Sequence, residues 1–130
     1  MTSAFAYLRV SGRGQVHGGG FDRQRALIQQ FAQKNQLRVV SEFRDEGVSG
    51  TIDSMERPAF AELLDAAASA EVDLVIVENS SRLARDLIVG ELILQECRNR
   101  GLTVKDADGT DLTNSDGNPS STLIRQVFLA

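Results

Sequence analysis

The chain has 130 residues, of which 42% are hydrophobic, enough for one compact domain with a core and too few for two. A net charge of −4 and a sequence pI near 4.9 exclude a protein that grips nucleic acid through bulk positive charge. A single cysteine, Cys97, and a single histidine, His17, exclude an internal disulfide and a thiolate or imidazole zinc site. No apolar run reaches the roughly 18 to 20 residues of a membrane span, and the first residues lack a secretory pattern, so a reducing, cytoplasmic setting is expected.

Strand and helix patterns alternate along the chain. They predict an α/β fold with an open, mostly parallel sheet of four to five strands flanked by helices. Residues 3–10 read as the first strand and run into Ser11. Residues 12–20, with Gly12, Gly14 and Gly18-Gly19-Gly20, cannot be regular structure and form a loop. A helix follows from about Phe21, with Gln24, Leu27, Ile28 and Phe31 on one face at the three-to-four spacing. Residues 37–43 form the second strand, and residues 45–51 a turn-rich loop.

Arg57-Pro58 then starts a helix, with proline at a first-turn position and a buried stripe of Phe60, Leu63, Leu64 and Ala67. Residues 72–77 lack polar alternation, which marks a central strand covered on both faces. A helix is expected over residues 81–100, stopped at Gly101, with Cys97 in its core face. Residues 102–104 give a fourth strand and 106–118 a polar loop. Asn118-Pro119 opens one more helix, whose apolar residues Leu123, Ile124, Val127 and Phe128 share a face. The expected organisation is one domain over residues 1–117 and the start of a truncated C-terminal helix over 118–130.

Strand ends in an open parallel sheet share one edge, and ligands bind in the crevice outside it. Ser11 after the first strand, and Arg82 and Arg85 after the third, are thereby brought toward one another, with Arg9 two residues before Ser11 and Arg57 at a helix start. Only two of the 14 basic residues, Lys34 and Lys105, are lysines. The arginine fork holds two phosphate oxygens at once and stays charged at any working pH. Guanidinium groups in a partly dry cleft stabilise both a serine alkoxide and the charge that builds on a phosphate under attack.

Other chemistries fit less well. A Ser-His-Asp triad has only His17, in the glycine-rich loop. Asp45, Glu46 and Glu78 approach one another at strand ends, but arginines at the same places oppose a cation. Gly12-x-Gly14-x-x-x-Gly18 departs from a dinucleotide fingerprint, whose last glycine would fall at His17. The plain alternatives are that Ser11 ends a strand and that Arg82 and Asp86, four apart, form a surface ion pair.

The joint pattern Tyr7-x-Arg9-Val10-Ser11-x-x-x-Gln15, Asp45-Glu46-Gly47-Val48-Ser49-Gly50-Thr51, Arg57-Pro58 and Ser81-Arg82-Leu83-Ala84-Arg85-Asp86 resembles the catalytic domain of the serine site-specific recombinases, the resolvase and invertase family. The resemblance covers nearly the whole chain in order. It implies a resolvase-like catalytic domain in which Ser11 attacks a DNA phosphodiester and becomes joined to the 5′ phosphate, with strand exchange and religation to follow. It also implies that Arg9, Arg82 and Arg85 bind and activate the phosphate, with Arg57 in support. Tyr7, Gln15, Gln24 and Asp45 match positions near the family's site. No cofactor and no metal are implied.

The partners implied are double-stranded DNA, held mainly by a C-terminal region absent from this sequence, and further copies of the chain, as a dimer assembling to a tetramer. Two features depart from the family pattern. Ser81 stands where many members carry aspartate, and the interval from Ser11 to Gln24 is longer than in small resolvases, as in larger members. The alternative expectation is a catalytically inactive recombinase-like module for dimerisation or DNA regulation.

Overall fold

The computed structural model describes residues 1–10, 20–46 and 57–114. Strands β1 (Thr2–Val10), β2 (Leu37–Glu46), β3 (Leu74–Val77) and β4 (Thr103–Asp106) alternate with helices α1 (Gly20–Lys34), α2 (Pro58–Ala70) and α3 (Leu87–Asn99), and a 3-10 turn (Ser80–Arg82) follows β3. All strand pairs are parallel, in the order β2-β1-β3-β4. The α/β class and the open parallel sheet match the expectation, with four strands. Because β2 lies on one side of β1 and β3 on the other, the order reverses between β1 and β3. That reversal opens a crevice at the carboxyl edge of the sheet.

Alternation along β1 assigns each face its helices. Phe5 and Tyr7, with Val75 and Val77, pack under α2 and α3 through Phe60, Leu63, Ile93 and Cys97. Ala4, Ala6, Leu8 and Val10, with Leu74 and Ile76, pack under α1 through Phe21, Ile28 and Ala32. The period of two then sends Arg9 to the same face as Tyr7. Arg25 clamps Glu42 with bonds of 2.7 and 2.8 Å, fixing α1 over the edge strand β2.

Several boundaries differ from the sequence reading. β2 runs on to Glu46, because Asp45 and Glu46 pair with Arg9 and Val10; both residues are strand rather than loop. The third strand starts at Leu74, since Glu71 takes a left-handed conformation (φ 56°) to end α2 and Val72 N–H still bonds the helix at Ala67. In α1 the buried set is Phe21, Gln24, Ile28 and Ala32, while Leu27 is 38% exposed.

The largest correction concerns the helix expected over 81–100. Asn79 caps a separate 3-10 turn through Ser81 N–H, and α3 begins only at Leu87, where Asp86 accepts from Ile88 and Val89 N–H at 2.9 and 3.0 Å. Asp86 is therefore a helix cap and not the partner of Arg82. The helix read over 118–130 lies outside the described residues.

Candidate active site at the carboxyl ends of β1 and β3

Burial of Tyr7 and Arg9 on the α2 side of β1 forces their polar groups to find partners there. Tyr7 stacks on Phe60, with ring centroids 5.0 Å apart, and its hydroxyl donates to Asp45 Oδ2 at 2.8 Å. Asp45 in turn accepts from Ala59 N–H at 3.0 Å and Phe60 N–H at 3.2 Å. A carboxylate from β2 thus occupies the electropositive start of α2, where Arg57 is the capping residue without a side-chain cap of its own. Burial, reinforced by Asp45, pushes the Tyr7 hydroxyl above its ordinary range, and Arg57 acts in the opposite direction.

Arg9 is completely buried. Its Nε donates to the Arg82 carbonyl at 2.9 Å and its Nη2 to the Ser81 carbonyl at 2.6 Å. The backbone of Arg9 is held from the other face, where Gln24 of α1 accepts from its N–H at 3.2 Å and donates to its carbonyl at 3.1 Å. That carbonyl also takes Arg82 Nη1 at 3.2 Å. Arg9 and Arg82 are therefore interlocked, each guanidinium bonded to the other's backbone.

Burial is the main cause that lowers Arg9 to about 10, followed by the positive charge of Arg57; Tyr7 opposes the shift, and Arg82 and Arg85 add to it. The guanidinium groups of Arg57, at the start of α2, and of Arg82 and Arg85, in the segment after β3, thus lie within electrostatic reach of Arg9. Arg57 is fully buried, Arg82 mostly buried, and Arg85 more open. Arg85 also lines a groove of about 830 Å³ with Leu87, Leu94 and Leu112.

The structure brings together Tyr7, Arg9, Gln24, Asp45, Arg57, Ser81, Arg82 and Arg85. Ser81 contributes its carbonyl to Arg9, while its hydroxyl donates to Asn79 at 2.5 Å and is exposed. Ser11 and Gln15 lie outside the described residues. Among the described residues no group of three or more histidine, cysteine or acidic side chains is placed to hold a metal ion, and no helix is long and apolar enough to cross a membrane.

Sequence reasoning weighed Glu78 only as one of three carboxylates for a cation and passed over Arg23. Glu78, just beyond β3, accepts Arg82 Nε at 2.9 Å and pairs with Arg23 Nη1 at 3.0 Å. The four-residue spacing from Glu78 to Arg82 was a visible signal; the contact with Arg23 in the first turn of α1 was not. Asn79, which holds the 3-10 turn, was also unremarked.

The family model described as the resolvase N-terminal domain matches residues 4–130. An uncharacterized protein, YbcK, of Escherichia coli strain K12 is 31% identical over 140 residues, covering 100% of this chain and 27% of the relative; the chain thus spans about a quarter of that protein's length. The N-terminal catalytic domain of TP901-1 integrase superposes with a TM-score of 0.76 at 21% identity, covering 98% of this chain and 95% of that one. A resolvase family site-specific recombinase from Streptococcus pneumoniae gives a TM-score of 0.74 at 25% identity, with coverage of 99% and 87%.

Proposed function

Because the chain belongs to the resolvase N-terminal domain family, the catalytic domain of serine recombinases, we propose that it cuts and rejoins DNA through Ser11. The observation that carries this reading is the convergence of Arg9, Arg57, Arg82 and Arg85 at the carboxyl ends of β1 and β3, one peptide unit from Ser11 in sequence. Guanidinium groups gathered at one point favour an anion that several of them can bond at once. A phosphodiester is such an anion.

In the proposed reaction the Ser11 hydroxyl loses its proton to solvent or a nearby base and its oxygen attacks the scissile phosphorus. The bond from phosphorus to the 3′ oxygen breaks, that oxygen takes up a proton, and the 5′ phosphate remains esterified to Ser11. The guanidinium groups stabilise the charge on the phosphoryl oxygens as the attacking and leaving oxygens exchange. Rejoining is the same step reversed, with a free 3′ hydroxyl as the attacking group. The ester retains the linkage, so neither ATP nor a metal is required.

Arg9 and Arg82, interlocked through backbone carbonyls, form the inner part of the receiving site. Arg57 supports it, and Arg85 reaches the substrate from the open side. Tyr7 and Asp45 position Arg57, Gln24 fixes the end of β1, Ser81 holds Arg9, and Gln15 acts near the nucleophile. With a net charge of −4, this domain is a poor duplex grip by itself. Double-stranded DNA is held mainly by a region outside residues 1–130, and copies of the chain pair as dimers and tetramers through the segment from residue 118.

The test is incubation of the full-length protein with its cognate DNA, followed by denaturing electrophoresis. A protein–DNA adduct that resists denaturation, and is absent from Ser11→Ala, is expected. DNA binding without an adduct would replace this reading with that of a catalytically inactive assembly module.

A further inference from the structure

Glu78 is a buried carboxylate, 6% exposed, set beside a cluster built to receive an anion. On charge alone it opposes that purpose, since a negative group a few ångströms from a phosphate repels it appreciably even at an effective dielectric near 20. Its geometry shows what it does instead. Oε1 accepts Arg82 Nε at 2.9 Å, and Oε2 faces Arg23 Nη1 at 3.0 Å. Arg82 Nη1 is committed to the Arg9 carbonyl at 3.2 Å.

With Nε held on one side and Nη1 on the other, the plane of the Arg82 guanidinium is fixed. Nη2 bonds none of the described residues. We propose that Glu78 is a positioning residue: it aims Arg82 at the scissile phosphate and offsets part of the cluster's charge while the site is empty, with Arg23 of α1 bracing it from behind. This inference rests on the reading of the site as a phosphate receiver given above.

The two effects have opposite signs, which separates them from a merely structural role. Glu78→Gln removes the charge and keeps one acceptor. In the full-length protein it is expected to tighten binding of inorganic phosphate by about threefold or more, read by titration of the arginine Nε–H signals. It is also expected to slow formation of the Ser11–DNA adduct about tenfold, as misaimed catalytic groups do.

In an Arg82→Lys background, where no Nε fork remains to be aimed, Glu78→Gln should change the adduct rate by less than about twofold. Glu78→Asp keeps the charge but withdraws it by one methylene, and should leave phosphate affinity near that of the unsubstituted protein while slowing the adduct. It decides the question should Glu78→Gln fail to fold. Equal rate losses in both backgrounds, or phosphate binding weakened or unchanged by Glu78→Gln, would overturn the proposal. Absence of any adduct from the unsubstituted protein defeats the recombinase reading alone, and the phosphate titration then still decides for or against Glu78.

Discussion

Asp45 concentrates more of the site's organisation than any arginine does. Its carboxylate receives the Tyr7 hydroxyl and two backbone N–H groups of α2, so one residue joins β1, β2 and the helix start that carries Arg57. Asp45→Ala removes a helix cap and orphans a buried hydroxyl, a loss of about 2 to 4 kcal/mol in urea unfolding. Tyr7→Phe removes one bond of the three and should cost about 1 kcal/mol, with little further loss when added to Asp45→Ala. Cys97 yields a prediction of a different kind. It is fully buried, and that burial, with Glu96 in a lesser part, pushes its thiol up to about 12 from a reference of 9.0. Above pH 9 the unfolded chain loses this proton while the native state keeps it, so stability must fall as pH rises from about 9 toward 12, by about 1.4 kcal/mol per unit at most. Unfolding curves across that range should be flatter for Cys97→Ala, and an unchanged slope would show that the thiol is solvated in the native state.

At the scale of elements, strand and helix assignments were most legible where burial alone decides them. The uniform apolar run of β3 and the stripe Phe60, Leu63, Leu64 and Ala67 of α2 stand in the fold where their spacing put them. The extension of β2 through Asp45 and Glu46 was not legible, because it depends on pairing with Arg9 and Val10 across the sheet, while the local residues favour a turn. The start of α3 was legible and overlooked: Asp86 directly before Leu87-Ile88-Val89 is a capping signal, but it competes with a helical spacing that continues back to Ser81. The consequence falls on the candidate site, since the 3-10 turn rather than a helix carries Arg82 and lets the Ser81 and Arg82 carbonyls face Arg9. The contact of Arg23 with Glu78 was beyond reach for a related reason, as the two meet only once α1 packs on the sheet. Asp86→Ala should destabilise α3 by about 1 kcal/mol, seen as faster hydrogen exchange at the Ile88 and Val89 amides. Because Arg85 is the adjacent residue, the variant should also slow adduct formation. Unchanged exchange at those two amides would show that α3 does not depend on this cap.

For the whole molecule, the charge distribution matters more than its sum. A chain of net charge −4 gathers four guanidinium groups at one edge of its sheet. Arg9 is pushed down to about 10, first by its burial and then by the positive charge of Arg57. The folded pKa lies below the unfolded reference, so carrying this charge in the native state costs stability at every pH below about 10, and the cost is relieved only as pH climbs from there toward the ordinary arginine range. A bound anion relieves it at neutral pH instead. Inorganic phosphate at low millimolar concentration should therefore raise the unfolding temperature along a saturating curve, with a gain of about 2.7 kcal/mol at a hundred times its dissociation constant. General salt effects of phosphate on burial increase steadily with concentration and do not saturate. Sodium chloride at matched ionic strength provides one control and Arg85→Gln the other, since Arg85 is the more open member of the cluster and its loss should weaken the saturating part without unpacking the core. A phosphate response that is linear, or the same in Arg85→Gln, would mean that the arginines at the ends of β1 and β3 form a set of structural pairs and not a receiving site.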